Sequence, residues 1–457
     1  MTLENVTIIN APDRLDHEGE NGASPPLGCV RVAYAAKSAG ANEYFIDGQH
    51  YPTVREVMSK LPEKTQIAGI SYNMGSIDQT VALIKGIFDS GIEKILVGGQ
   101  AVIPTAENFV KSFADSRIIA CSGDGEPAIQ GLVLGKSLED IPNLVYFEDG
   151  QVRRTPAELT DYEDLNFEGQ VNGFDWQSYF EYTQRFFGHN RASAYFTDGC
   201  PNRMGEDELS GCSFCTRRRT GSIRSVTPEQ AYNHLKFLKE QGAEQININD
   251  DTFFASPGLL KGLAEQFEKK GELGLGLHVY ARVSELTPQR LDLAQRIGVK
   301  SALVGIESGN SHIRKANGKP ISDERILEAG RLCKERGISY DGAFIIGMIG
   351  ETPQTAKDTV SLIRKLAQEG ISQNSYADRF IPLPGCLGYH LIQQKLPSNP
   401  VLKQKYGNQF TRWDYDWSVL ADAQLELNTS ITREQAFNNL EEIRKINEAS
   451  GVKPIIA

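Results

Sequence analysis

Three cysteines, Cys200, Cys212 and Cys215, fall close together in a chain of 457 residues that has seven cysteines in all. They stand in Asp198-Gly-Cys-Pro201 and Gly211-Cys-Ser-Phe-Cys215, just after an apolar segment and just before a helix signal. The Cys-x2-Cys pair has the local spacing that grips one metal ion or one cluster. Iron–sulfur clusters are held by cysteine thiolates, usually four of them. Three ligands here leave either a fourth cysteine from elsewhere or an iron with an open position, and an open iron is a reaction centre. A structural zinc site would show four Cys or His ligands in two close pairs. The next Cys, however, is Cys333 and the next His is His234, neither in a second pair. A disulfide framework suits short secreted chains. This one is long and opens Met-Thr-Leu-Glu-Asn-Val, without the basic and apolar pattern of a leader.

Other motifs follow in order: Gly199-Cys-Pro-Asn202, Arg224, Thr227-Pro-Glu229, Asn249-Asp-Asp-Thr-Phe253 and Ala281-Arg-Val283. After them come Gly305-Ile-Glu-Ser-Gly309, Phe344-Ile-Ile-Gly347, Gly350-Glu-Thr352 and Pro382-Leu-Pro-Gly385. From Cys200 onward the chain resembles the radical SAM superfamily, and above all its branch with an N-terminal cobalamin-binding domain. The resemblance implies a [4Fe–4S] cluster on Cys200, Cys212 and Cys215, with S-adenosyl-L-methionine (SAM) chelating the open iron through its amine and carboxylate. One-electron reduction then yields a 5′-deoxyadenosyl radical, with an electron donor such as a flavodoxin or ferredoxin. There is one departure. The family's first cysteine gap is short, whereas this chain inserts Arg203-Met-Gly-Glu-Asp-Glu-Leu-Ser210.

Residues 6–150 alternate short apolar strands with amphipathic helical stretches. The strands are Val6–Asn10, Glu43–Asp47, Ile67–Ser71, Lys94–Gly98 and Arg117–Cys121, with Val81, Ile84, Ile87 and Phe88 on one face of the helix at 79–90. Such alternation predicts a doubly wound parallel sheet of Rossmann type, whose ligands bind outside the carboxyl ends of the strands. Those ends carry Asp47 and Gln49, Ser71 and Asn73, Gly98 and Gly99, and Gly123 and Glu126, and the small residues in these loops would let a large ligand approach the backbone. Pro26 and Leu27 open the first helix. The resemblance implies that these ten residues bind cobalamin. The Asp-x-His-x-x-Gly signature of a cobalt-ligating histidine is absent, since Asp47-Gly-Gln-His50 puts its His one residue late.

Six further strands, at 192–197, 245–249, 274–282, 301–307, 339–347 and 374–380, suit the partial (β/α)6 barrel that the resemblance implies. Thr227 and Gln230 form a capping box with Pro228 at the first helical position. Polar residues at the carboxyl ends of barrel strands read as site residues. Asp250 and Asp251 end the second strand, Arg282 the third, and Glu307 with Ser308 the fourth. Arg282 could pair the SAM carboxylate in bidentate fashion, while Asp250 and Glu307 accept from its amine or ribose. Phe214 would shield the cluster. Cys386 reads either as a small buried residue or as a thiol facing the substrate, the one candidate catalytic residue. The expected domains are 1–165 (cobalamin binding), 166–192 (linker), 193–390 (barrel) and 391–457, a small α-rich cap. In that cap Trp413, Tyr415 and Trp417 alternate as an edge strand or a substrate wall.

A formal charge of −11 argues against a nucleic-acid footprint, although arginines 217–219 with Arg224 make one local basic field. No apolar run reaches the roughly 20 residues of a membrane helix. A reduced cytoplasm fits a labile cluster. The expected function is cobalamin-dependent radical SAM methylation of an unactivated carbon or phosphorus in a small molecule or peptide. Rearrangement, ring contraction or cyclisation without methyl transfer is the alternative within the branch, and a non-catalytic cobalamin or cluster sensor the alternative of another class.

Overall fold

The computed structural model describes residues 4–12, 25–51, 53–72, 77–160, 168–203, 211–216, 222–372 and 374–450. Asn73, nearly all of the 203–210 insertion and arginines 217–219 lie outside them. The chain divides into two compact units, residues 1–193 with 411–415, and residues 194–410 with 416–457.

The first unit runs β1 (Asn5–Asn10), α1 (Leu27–Ser38), β2 (Asn42–Asp47), α2 (Val54–Ser59), β3 (Ile67–Ser71), α3 (Ile77–Asp89) and β4 (Lys94–Gly98). It continues through α4 (Ala106–Phe113), β5 (Ile118–Cys121), α5 (Gly125–Val133), β6 (Leu144–Glu148), β7 (Gln151–Arg154) and α6 (Trp176–Phe187). The strand order is β2-β1-β3-β4-β5-β6-β7. The first five are parallel, and the central strands β1, β3, β4 and β5 are buried on both faces and read as short apolar runs, whereas β2 lies at the edge with Tyr44 exposed. The order reverses between β1 and β3, the switch point where doubly wound sheets take their ligands. The hairpin β6–β7 adds two antiparallel strands that the helix–strand alternation does not predict. Its turn is Asp149-Gly150, both at positive φ (49° and 78°), the pairing a two-residue hairpin loop prefers.

Two boundaries differ from expectation. The stretch 166–192 is no plain linker, because it contains α6, whose Tyr179 and Phe180 are buried. The pentapeptide Thr411–Tyr415, from the expected cap, belongs to the first unit. Trp413 lies in its core with Tyr72, Val102 and Phe109, its ring edge-on to Phe109 at 4.9 Å. Its indole Nε1 donates to Ser112 Oγ (2.8 Å), and its carbonyl accepts from Tyr72 Oη (3.1 Å). A buried indole needs such a partner for its N–H. Trp413 and Tyr415 are therefore neither edge strand nor substrate wall, and Trp417 begins a helix.

The second unit carries six strands in the order β15-β14-β13-β12-β11-β8. They are β8 (Arg191–Ala194, which spans the unit boundary), β11 (Gln245–Ile248), β12 (Gly276–Arg282), β13 (Val299–Glu307), β14 (Ser339–Ile346) and β15 (Ser375–Arg379). Strands β11 to β15 pair in parallel. The short strands β9 (Thr197–Asp198) and β10 (Arg224–Ser225) make an antiparallel ribbon. Between the sheet strands lie α7 (Pro228–Glu240), α8 (Pro257–Lys270), α9 (Pro288–Arg296), α10 (Ser311–Ala316), α11 (Asp323–Glu335) and α12 (Pro353–Gln368). This is the partial (β/α)6 barrel. The Thr227–Gln230 capping box is present.

The expected α-rich C-terminal region is present as α13 (Leu387–Lys395), α14 (Pro400–Tyr406), α15 (Trp417–Asn428) and α16 (Arg433–Ala449), within the second unit. Asn447 of α16 donates to the carbonyl of Ser375 on β15 (2.9 Å) and accepts from its amide (3.1 Å). A side-chain amide thus takes the place of a further strand at an edge that would otherwise be open.

Replacing Trp413 with Ala removes a large buried side chain and should cost the first unit about 3–5 kcal/mol. Urea unfolding followed by circular dichroism measures this. A loss below about 1 kcal/mol would show that the pentapeptide is not part of that core.

Candidate functional site

The three cysteines lie on the excursion between β9 and β10, so the ribbon closes the loop at its base. Asp198 on one strand pairs with Arg224 on the other, Nε donating to Oδ2 at 3.1 Å. The carboxyl end of β11 supplies the second clamp. Asp250 Oδ1 accepts from the amides of Phe196 (2.6 Å) and Thr197 (3.0 Å). Asp251 Oδ2 accepts from the amide of Gly199 (3.2 Å), directly before Cys200. Asp250 is buried, and burial pushes its carboxyl up to about 7 against the lowering pull of the Phe196 and Thr197 amides. Asp250 and Asp251 therefore hold the main chain that enters the cysteine loop. Asp250 Oδ1 is thereby engaged by two backbone amides.

Cys212 and Cys215 sit in one turn, the amide of Cys215 donating to the carbonyl of Cys212 (3.1 Å). Asn202 Nδ2 reaches Cys212 Sγ at 3.4 Å. Burial pushes the Cys200 thiol up; the Asn202 backbone and Arg282 pull it down, while Cys212 and Cys215 push it further up. The three thiols and one guanidinium thus share an electrostatic neighbourhood, the donor chemistry that an iron–sulfur cluster needs. Among the described residues no three His, Cys, Asp or Glu side chains already stand around a common metal position. Phe214, between the two cysteines, lies edge-on to Phe380 at 6.3 Å, with Lys319 Nζ 5.9 Å above its ring.

Arg282 ends β12 and points at this loop. Its Nη2 donates to Asn202 Oδ1 (2.6 Å), so Arg282, Asn202 and Cys212 form a chain. Glu285, buried, accepts from the Arg282 amide (3.2 Å) and from Thr252 Oγ1, which ties the ends of β11 and β12 together. Glu307 ends β13 in the left-handed region, φ 72°, where a non-glycine residue is strained and persists only if its surroundings enforce it. The enforcing contact is Lys319, whose Nζ lies 2.6 Å from Glu307 Oε1 and 3.2 Å from the carbonyl of Gly305. A Cβ at Gly305 would stand 2.5 Å from that carboxylate oxygen and 2.6 Å from that ammonium, so the pair requires glycine there. Burial opposes the Lys319 charge, but Glu307 and then Cys212 outweigh it and hold the ammonium above its usual range.

Two candidates turn inward. Ser308 is fully buried; its Oγ accepts from the Asn310 amide (3.2 Å), and its carbonyl accepts from Arg314 (2.8 Å). Cys386 is fully buried as the N-cap of α13, its Sγ accepting from the Tyr389 amide (3.4 Å). That geometry makes it a structural thiol, not one facing a substrate. Lys319 and Glu285 were not singled out in the sequence. Their roles depend on partners on other elements, and no local pattern marks them.

In the first unit the expected cobalamin residues lie at the strand ends, but several are occupied. Asp47 Oδ1 accepts from Asn10 Nδ2 (2.9 Å) and the Gln49 amide (3.1 Å), and Oδ2 accepts from Tyr179 Oη. Ser71 is a hydrogen-bond partner of the buried Cys29 thiol. Glu126 pairs with Arg31 at 2.6 Å. A Cβ on Gly99 would lie 2.5 Å from the carbonyl of Tyr72, and one on Gly123 would lie 2.4 Å from Asn143 Oδ1. The unit's own packing thus leaves no room for a side chain at either glycine. At Gly98 the nearest contact would be ordinary, 3.6 Å to Cys121. Pro26 and Leu27 stand at the start of α1, and the Pro26 carbonyl accepts from Cys29 and Val30. His50 stacks edge-on against Tyr179 at 4.5 Å.

Comparison with known proteins agrees with this geometry. The model of the radical SAM superfamily matches residues 194–363. An uncharacterised methyltransferase of Pyrococcus horikoshii is 24% identical over 359 residues, 75% of this chain and 73% of that protein. The radical S-adenosylmethionine methyltransferase TsrM of Kitasatospora setae, solved with tryptophan and a SAM analogue, superposes with a TM-score of 0.69 at 18% identity, over 87% of this chain and 77% of TsrM. The cobalamin-dependent S-adenosylmethionine radical enzyme OxsB, solved with aqua-cobalamin, gives 0.65 at 19% identity. That match covers 82% of this chain but only 53% of OxsB. The protein thus carries a radical SAM superfamily domain at residues 194–363, on a chain with the fold of TsrM and OxsB.

Proposed function

We propose that this protein is a cobalamin-dependent radical SAM methyltransferase acting on an unactivated carbon or phosphorus of a small molecule or peptide. The observation that carries the reading is the convergence of Cys200, Cys212 and Cys215 with Arg282 at the carboxyl ends of the barrel strands. The chemistry an iron–sulfur cluster supplies, once bound there, is the electron that cleaves the SAM sulfonium.

The chain's own residues would bind and orient. Arg282, held by Asn202 and Glu285, offers a guanidinium to the carboxylate of SAM. Glu307, held in its strained turn by Lys319, offers a carboxylate to the amine or a ribose hydroxyl. Phe214 keeps water from the cysteine turn. Asp250 and Asp251 fix the entry to the loop. Cobalamin belongs to the reading through the domain type, a parallel sheet with its switch point between β1 and β3, and through the likeness in fold to TsrM and OxsB, both solved with cobalamin bound. The electron donor is a flavodoxin or ferredoxin. A rearrangement or cyclisation without methyl transfer uses the same cofactors and is the second reading. No helix of the described residues is long and apolar enough to cross a membrane.

Arg282→Ala and Glu307→Gln should each weaken SAM binding about ten- to a hundredfold, the loss of one charge-assisted hydrogen bond of roughly 1.5–3 kcal/mol. Equilibrium dialysis with the reconstituted enzyme measures this. Unchanged affinity in both variants would assign these residues to the barrel alone.

The function itself is tested by reconstitution with iron, sulfide and hydroxocobalamin, then SAM and a reductant, with mass spectrometry of the products. Formation of 5′-deoxyadenosine together with S-adenosylhomocysteine supports methyl transfer. Deoxyadenosine alone moves the protein to the second reading, and the absence of both products would contradict radical SAM chemistry.

A further inference from the structure

The Cys212–Cys215 turn is not held by its own sequence. Ser213, inside it, is fully buried, and its three polar groups all bond to other elements. Its amide donates to the carbonyl of Asn317 (3.2 Å), its Oγ bonds Asn317 Oδ1 (2.5 Å), and its carbonyl accepts from the amide of Gly388 (3.1 Å). Asn317, directly after α10, is also fully buried. Its Oδ1 accepts a second hydrogen bond from the amide of Ile349 (3.2 Å), while its Nδ2 donates to the carbonyls of Ile349 (3.0 Å) and Ile313 (2.9 Å). One amide side chain therefore satisfies the loop after β14, the end of α10 and the cysteine turn at once.

The next two residues continue the contact. Gly318 (φ 79°) lies so close that a Cβ there would stand 2.1 Å from the carbonyl of Gly211. Its carbonyl accepts from Asn202 Nδ2 (3.2 Å), the same group that reaches Cys212. Lys319 then holds Glu307. A stretch of three residues seats the turn with the first, admits it closely with the second and fixes the strained carboxylate with the third.

We propose that Asn317 is a positioning residue that sets the register between the Cys212–Cys215 turn and Glu307. The proposal rests on the radical SAM reading for what that register is for: the thiols face the cluster and Glu307 faces the SAM bound to it. Asn317 touches neither thiol nor cofactor and acts through Ser213 and through the peptide that leads to Lys319. A buried amide with every group paired is costly to truncate, because its partners are left unsatisfied. Its loss should release the turn without unfolding the barrel.

The test uses the full chain in two forms. In cluster-free protein, alkylation of Cys212 by iodoacetamide at fixed pH, followed by mass spectrometry, reports opening of the turn. Cys333, fully buried on α11, reports global opening in the same sample. Asn317→Ala should speed Cys212 labelling about tenfold or more while Cys333 is unchanged, as loss of one or two buried hydrogen bonds implies. Ser213→Ala, a milder change, should shift Cys212 in the same direction by less. In reconstituted protein, both variants should still form a cluster but need about tenfold more SAM to produce the SAM-dependent change in its electron paramagnetic resonance spectrum. Equal acceleration of Cys212 and Cys333, or no acceleration in either variant, overturns the seating role. An unchanged SAM titration overturns the register with Glu307. Wild-type protein that takes up no iron would sink the cluster reading instead, and the labelling comparison would still decide the seating role.

Discussion

Three thiolates on one loop repel each other, and such a loop gains nothing from regular secondary structure. It must be held from outside, and here buried hydrogen bonds from the strand ends hold it. Asp250 and Asp251 grip the main chain before Cys200, Asp198 and Arg224 close the base, and Asn202 links Cys212 to Arg282. The parallel sheet is what makes this possible, because its carboxyl ends bring residues from 198 to 319 to one place. The cost is visible in Asp250, a buried carboxylate whose ionisation burial opposes.

The same economy explains the strain at Glu307. A carboxylate aimed off the end of β13 needs a turn that its backbone resists. The turn survives because Lys319 pairs with the carboxylate and Gly305 leaves room for both. Strain of this kind, fixed by partners from another element, is commonest where a side chain must meet a ligand.

Much of the architecture was legible in the sequence. All five parallel strands of the first unit and all six of the barrel follow from apolar runs alternating with amphipathic stretches, and the capping box at Thr227 followed from spacing alone. The hairpin β6–β7 was signalled by Asp149-Gly150 but hidden by the expectation of continued alternation. The place of Trp413 could not be read, since an aromatic residue more than 300 positions from Tyr72 joins that core through tertiary packing alone. In the site, residue types were readable and their duties less so. Cysteines announce a metal centre, but an aspartate at a strand end looks the same whether it accepts from a ligand or from the amides of Phe196 and Thr197. Cys386 and Ser308 show the same ambiguity, resolved by burial and by the amides they accept from.

The central claim is that Cys200, Cys212 and Cys215 alone hold a [4Fe–4S] cluster. The most direct measurement is Mössbauer spectroscopy with iron and sulfide analysis of anaerobically reconstituted protein. Wild type and Cys333→Ser should each carry about four irons and four sulfides per chain as one cluster, and the variant with all three cysteines replaced by Ala should carry none. A full cluster in the triple variant, or its loss in Cys333→Ser, would contradict the account.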